Sequence, residues 1–195
     1  MAVPSSGALN DQPDNVNFLS PLGFNFSIKK LPNTNYFVQS INVPSVQMGE
    51  ALMPTPFVNL PNPGDRITYA EFQVSFKVDE DLRNYIELYD WMVQLGFPED
   101  FAQAKNIYDK QRSVDWVADG PYSDATLTIL NSAMNPNLEV VFEDAFPIAL
   151  SDLQFSATAP SVDYIECQVT FRYKLFRILR LASSGTVDTQ STNVR

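Results

Sequence analysis

The sequence contains no histidine and one cysteine among its 195 residues. Histidine is the usual general base near neutral pH and the commonest metal ligand, so its absence removes most acid–base and metal chemistries. The single Cys167 excludes an intramolecular disulfide and a cysteine zinc cluster. Glycine numbers only 7, and no two glycines stand at the spacing of a phosphate-binding loop. These absences argue against an enzyme and against a bound cofactor.

Basic residues are also few. The chain has 13 lysines and arginines against 23 acidic residues, a net charge of -10. Proteins that bind nucleic acid or acidic lipid need a basic surface, so this balance disfavours both. No apolar run reaches membrane-spanning length, and the first fifteen residues have neither the basic segment nor the apolar core of a secretory signal. We therefore expect folding in a cytoplasm, without membrane insertion.

The length and a hydrophobic content of 45% suit one globular domain. The polar, proline-containing residues 1–16 are expected to form a flexible arm, and residues 182–195 a polar tail. Residues 17–181 are then the domain. Within it we expect a long loop at 45–63 and an insertion at 97–122.

The most regular stretch runs from Gly64 to Gly96. Apolar residues alternate with polar ones from Phe72 to Val78, which predicts a strand with one buried face. The pattern slips at Ala70–Glu71, where we place a bulge or the true start of the strand. Apolar residues then recur at three- and four-residue steps, which predicts a helix beginning after a cap at Asp79 and closed by Gly96 as its left-handed C-terminal cap. Its predicted packing residues are Leu82, Tyr85, Ile86, Tyr89, Trp91 and Met92.

Alternation predicts several further strands, separated by turn residues. The predicted strands are 24–28, 36–43, 125–129, 138–142, 153–156 and 165–175, with turns at 29–35 and 131–137 and a short helix around 101–108. The expected fold is mainly β: an antiparallel sandwich or barrel of about seven strands with one principal packed helix.

The segment from Ser45 to Pro63 combines prolines with large apolar side chains. Two interpretations are open: a loop folded back over its own core, or an arm that buries these side chains on another subunit. The candidate contact residues are Met48, Leu52, Met53, Phe57, Val58, Leu60 and Arg66.

Groups that might carry chemistry have simpler explanations. The carboxylates of Asp79–Asp81 suit a helix start, and adjacent residues such as Glu143 and Asp144 on one strand point to opposite faces. Cys167 stands on the apolar phase of its strand, where a thiol behaves as a small hydrophobe. Asp65 and Arg66 are explained by a turn after Gly64, in which Asp65 caps or braces the turn and Arg66 pairs with Asp65 or with a neighbour.

The order of these features resembles the tail tube protein family of contractile-tailed bacteriophages. The similarity runs from Phe24 to Tyr173 and rests on the spacing of several pieces. These are VQSINVP at 38–44, the long loop, Gly64–Asp65–Arg66, the acidic helix start at Asp79–Glu80, YDW at 89–91, FEDAFPIALSDLQF at 142–155 and the final strand ending FRYKLF.

The resemblance implies hexameric rings whose inner strands close a channel and whose long loop reaches the adjacent ring. It also implies an acidic lumen through which DNA passes without specific binding. Tail sheath, baseplate and tail terminator proteins would be partners, in a virion tail assembled in the bacterial cytoplasm. The 97–122 insertion and the polar tail leave open a one-ring relative, either a baseplate tube initiator or a tail terminator.

A rival of another class is a monomeric β-sandwich binding module, such as a carbohydrate binder. That rival predicts a stable monomer with Phe57 and Leu60 buried in its own core.

Overall fold

The computed structural model describes residues 17–101, 103, 120–156, 164–181 and 187–188. These residues form ten strands and two helices. All strand pairs are antiparallel, so the predicted mainly β fold is confirmed. The elements are β1 Phe24–Ile28, α1 Pro32–Tyr36, β2 Val38–Ile41, β3 Val46–Pro54, β4 Asn59–Tyr69, β5 Phe72–Lys77, α2 Arg83–Gly96, β6 Ser123–Leu130, β7 Pro136–Leu150, β8 Glu166–Arg172, β9 Leu175–Leu181 and β10 Val187–Asp188.

The long strand β7 joins two halves of the main sheet. Its first part pairs with β6 on one side and β9 on the other, and its last residues pair with β8. Between these parts Asp144 adopts a positive φ of 54°, which marks the irregular point of the strand. The full order is β1-β6-β7-β8-β5-β2, and outside this path β9 pairs with β7 and β10 pairs with β9.

One hydrophobic core draws side chains from both halves. Phe72 of β5 stacks on Phe142 of β7 at 4.4 Å between ring centroids and on Phe171 of β8 at 5.1 Å. All three rings are buried, as are Leu88 and Trp91 of α2. The helix is therefore packed on the sheet, as predicted, and the alternation of β1, β5, β6 and β8 matches their buried positions.

The predicted start of α2 is wrong. Residues 79–82 form a turn closed by a hydrogen bond from the Leu82 amide to the Asp79 carbonyl, and the helix begins at Arg83. The buried side chain of Asn84 accepts hydrogen bonds from the amides of Asp79 and Tyr85 and donates to the Lys77 carbonyl. Asn84 thus supplies the hydrogen-bond acceptor at the start of α2 that the sequence predicts for Asp79.

The predicted end of α2 is displaced as well. Gly96 is the last helical residue, and Phe97 adopts the left-handed conformation after it. The Phe97 amide donates to the Val93 carbonyl, which closes the helix.

Several other boundaries differ from the expectations. Helix α1 replaces part of the turn expected at 29–35, because Asn35 folds back and bonds both backbone groups of Ile28. The strand expected at 36–43 covers only Val38–Ile41, and residues 153–156 form no strand because β7 already runs to Leu150. The last strand is interrupted after Arg172, and β9 continues separately to Leu181.

The two ends of the chain and most of the 97–122 segment, including the helix expected at 101–108, lie outside the described residues. Within the predicted C-terminal tail, Val187 and Asp188 pair with β9.

Candidate interaction surface: the β3–β4 arm

Strands β3 and β4 form a two-stranded hairpin, here called the arm (residues 46–69). Pairing runs from Val46 opposite Tyr69 to Pro54 opposite Asn59, and the Thr55 amide donates to the Val58 carbonyl across the turn. The expectation of a loop without regular structure was wrong. Each strand of an isolated hairpin has an edge without a partner strand, so proline, which lacks an amide hydrogen, is tolerated there.

The apolar side chains of the arm are exposed to solvent. Phe57 in the turn is 98% exposed, and Leu60 beside it is 47% exposed. The interpretation of a loop folded over its own core is therefore wrong for this chain. The seven candidate contact residues all lie on the arm and are exposed: Met48, Leu52, Met53, Phe57, Val58, Leu60 and Arg66.

The register gives the two faces of the arm different character. Opposite residues share a face and successive residues alternate, so one face carries the pairs Val46–Tyr69, Met48–Ile67 and Leu52–Pro61. The other face is polar near the body, at Gln47–Thr68, and apolar at the tip, at Met53–Leu60. Apolar side chains therefore predominate on one face, where Glu50 opposite Pro63 interrupts them, and occur on both faces at the tip.

A close backbone contact lies midway along the arm, where the register shifts between Met48 and Glu50. A side-chain carbon on Gly64 would stand 2.5 Å from the carbonyl oxygen of Gly49. Asp65 and Arg66 follow on β4 and are exposed. The Gly–Asp–Arg sequence is thus part of a strand irregularity and not of a turn between elements.

Aromatic residues pack the base of the arm against the rest of the domain. The ring of Tyr69 lies 6.2 Å from the ring of Tyr173 and 5.5 Å from that of Phe176. The Tyr173 hydroxyl donates a 2.8 Å hydrogen bond to the Ala70 carbonyl. Partial burial, together with Tyr69, raises the pKa of Tyr173 to about 12. The sequence did not predict the contact of Tyr173 with the base of the arm, because its pattern placed Tyr173 in an unbroken final strand.

The predicted packing residues of α2 are divided between its two faces. Trp91 is buried and donates from its indole nitrogen to the Pro121 carbonyl at 3.1 Å, and Tyr85 packs partly on the core. Leu82 and Met92 are half-buried, whereas Ile86 and Tyr89 are exposed. The buried face is formed instead by Asn84, Leu88 and Trp91, so Ile86 and Tyr89 do not pack on the sheet.

The candidate reactive groups are structural. Glu143 pairs with Arg177 at 3.0 Å and Asp144 with Lys174 at 3.7 Å. Cys167 is buried in the core, and burial raises the pKa of its thiol, which disfavours the nucleophilic thiolate.

Among the described residues, the cysteine and acidic side chains form no group of three or more that could hold a metal ion. None of the helices in that part of the chain is long and apolar enough to cross a membrane.

An exposed apolar arm on a folded β domain is typical of a protein that contacts another chain, because exposed apolar patches mark interaction surfaces. Residues 11–179 match the model of the phage tail tube protein family, and the chain belongs to that family. The resemblance seen in the sequence is thereby confirmed. The protein is a tail tube or tube-like structural protein. A comparison with curated protein sequences finds no match.

Two solved structures illustrate the fold. One is a chain in the cryo-EM structure of the anti-feeding prophage cap, described as its tube terminating cap, with TM-score 0.53, 14% identity and coverage of 87% of this chain and 95% of that chain. The other is a chain in the PVC sheath/tube terminator of an extracellular contractile injection system, with TM-score 0.51, 14% identity and coverage of 84% and 99%. At this identity the likeness concerns the fold alone.

Proposed function

We propose that this chain forms hexameric rings that stack into the phage tail tube, the conduit for DNA ejection. The observation that carries the proposal is the exposed apolar arm on a member of the tail tube family. A side chain that is nearly fully exposed in one copy and apolar is favourable to bury on another.

The arm is proposed to contact the adjacent ring through the seven residues named above. Burying one large apolar side chain contributes about 1.5–3 kcal/mol, so the tip alone can decide whether rings stack. Phe57 is the most informative residue because it stands in the turn and is almost fully exposed, which leaves it little to contribute to the fold of its own chain.

Replacing Phe57 by aspartate tests this role. Phe57→Asp should leave the monomer folded but weaken ring stacking by roughly tenfold or more, since each 1.4 kcal/mol is a factor of ten. Mass-resolved light scattering and negative-stain imaging across concentration measure the assembly. Phe155→Asp is the matched control, because Phe155 is also exposed (74%) but lies off the arm. Tubes formed equally by Phe57→Asp and the parent would refute the role of the arm.

The proposed partners and location follow from membership of a tail tube. The tube would contact sheath, baseplate and terminator proteins in a virion tail assembled in the host cytoplasm. The net charge of -10 supports a conduit that does not retain DNA, because like charge lowers affinity for a phosphate backbone.

The alternative within the same fold is a single ring, as a baseplate tube initiator or a tail terminator. Both structures described above are a terminating cap or a terminator, and their shared fold is the observation that favours this alternative. Incubation with preassembled tubes separates the cases. A many-copy subunit lengthens the tubes with protein concentration, a one-ring relative binds an end and stops, and no incorporation at all would overturn both.

The specific prediction of the monomeric binding module is wrong. It requires Phe57 and Leu60 in the core of their own domain, and both are exposed.

A further inference from the structure

The arm meets the rest of the chain over a small region at its base. Val46 and Tyr69, the pair nearest the body, are followed by Ala70 and Glu71, which connect the arm to the core strand β5. Every arm residue from Val46 to Pro54 is exposed. Because a hairpin that packs on nothing along its length can swing about its base, its direction depends on what holds residues 69–71.

Three residues at the junction of β8 and β9 contact this base. Tyr173 supplies both a ring contact to Tyr69 and the hydrogen bond to the Ala70 carbonyl, and Phe176 supplies a second ring contact to Tyr69. Arg172 pairs with Glu71 at 3.0 Å. That ion pair is solvent-exposed and therefore contributes little.

Tyr173 is itself held firmly. Its ring lies 5.2 Å from Phe142 and 5.7 Å from Phe72, both fully buried core residues. The next residue, Lys174, donates its amide to the Glu143 carbonyl at 3.0 Å, next to the irregular point of β7. The break between β8 and β9 places Tyr173 between the core and the arm.

We propose that Tyr173 is a positioning residue that sets the direction of the arm before a neighbouring copy is met. This rests on the proposed role of the arm in contacting another ring. A preoriented arm loses less conformational freedom on binding, so it stacks faster and more tightly than an arm that swings freely.

The test measures arm direction in the unassembled chain. Spin labels are placed at the arm tip (Asn59→Cys) and on exposed Ser27 of β1 (Ser27→Cys), in a Cys167→Ala background, and the distance distribution is recorded by pulsed electron resonance at dilution. Tyr173→Phe keeps the ring and removes only the hydroxyl. It should roughly double the width of the distribution while the thermal midpoint stays nearly unchanged.

Two controls separate positioning from general loosening. Arg172→Gln removes the exposed ion pair at the same base, and Tyr36→Phe removes a hydroxyl from a tyrosine that is 85% exposed. Neither should broaden the distribution. Tyr69→Leu provides the second route, because it removes the arm's own aromatic contact without altering the core, and it should broaden the distribution as Tyr173→Phe does.

An unchanged width in both Tyr173→Phe and Tyr69→Leu would overturn the proposal. Because the width is measured in the monomer, this result is independent of whether tubes form. Broadening without any effect on the rate of tube growth would show that Tyr173 orients the arm but that this orientation does not speed stacking, whereas the role of the arm in stacking is tested separately by Phe57→Asp.

Discussion

Asn84 shows how one polar side chain shapes the start of α2. It is fully buried, and its amide group holds the amides of Asp79 and Tyr85 and the carbonyl of Lys77. Its own backbone carbonyl accepts a hydrogen bond from the hydroxyl of Thr34, which ties α1 to α2. A buried polar group with all partners in place orders the backbone around it, and losing it leaves those partners without hydrogen bonds.

Asn84→Ala should therefore lower the free energy of unfolding by about 2–4 kcal/mol, since it leaves several buried backbone groups unsatisfied. Chemical denaturation measures the change. Asn25→Ala, at an exposed position of β1, is the control and should stay within about 0.5 kcal/mol of the parent. Equal stability of the two variants would contradict the role given to Asn84.

At the scale of elements, the arm is a sheet of its own that depends on its internal register. Gly49 and Gly64 meet where the two strands change register, and there is no room there for a side-chain carbon on Gly64. By contrast, Gly96 at the end of α2 has open space around the position of a side-chain carbon. Gly64 is thus required for packing, whereas no contact requires a glycine at position 96.

Gly64→Ala should disrupt pairing in the middle of the arm, because the new carbon would lie 2.5 Å from the Gly49 oxygen. Hydrogen exchange resolved by residue should show faster exchange near Met48 and Ile67, with the amides of β5 and β8 unchanged. Gly96→Ala serves as the control and should be neutral or stabilising by up to about 1 kcal/mol, since alanine favours a helix. Full protection of the arm in Gly64→Ala would contradict this.

For the whole molecule, strands β5, β7 and β8 build the core, whereas the arm lies outside it. The three ion pairs around the β8–β9 break, made by Arg172, Lys174 and Arg177, neutralise part of the scarce basic charge. Each pair joins one acidic and one basic group, so the net charge of -10 is unchanged, and a net negative charge lowers the affinity for a phosphate backbone.

We expect the protein, assembled or not, to bind duplex DNA more weakly than the usual non-specific range, with a Kd above about 10⁻⁴ M. Fluorescence anisotropy of a labelled duplex, titrated at low and physiological salt, measures this. Saturable binding that weakens with salt would reveal a basic surface and contradict the expectation.

The alternation in β1, β5, β6 and β8 determined the fold class, because a residue's side of a strand follows from its position in the sequence. The apolar composition of residues 45–63 left two interpretations open, a loop on its own core and an arm on another subunit, and only the exposure of the arm in the structure decides against the first. Neither pattern could reveal that β7 runs unbroken past Asp144, that Asn84 starts α2, or that Tyr173 leaves its strand to seat the arm. Those features depend on contacts between residues far apart in the chain, such as Tyr173 with Ala70 and Phe142, and only the tertiary structure decides them.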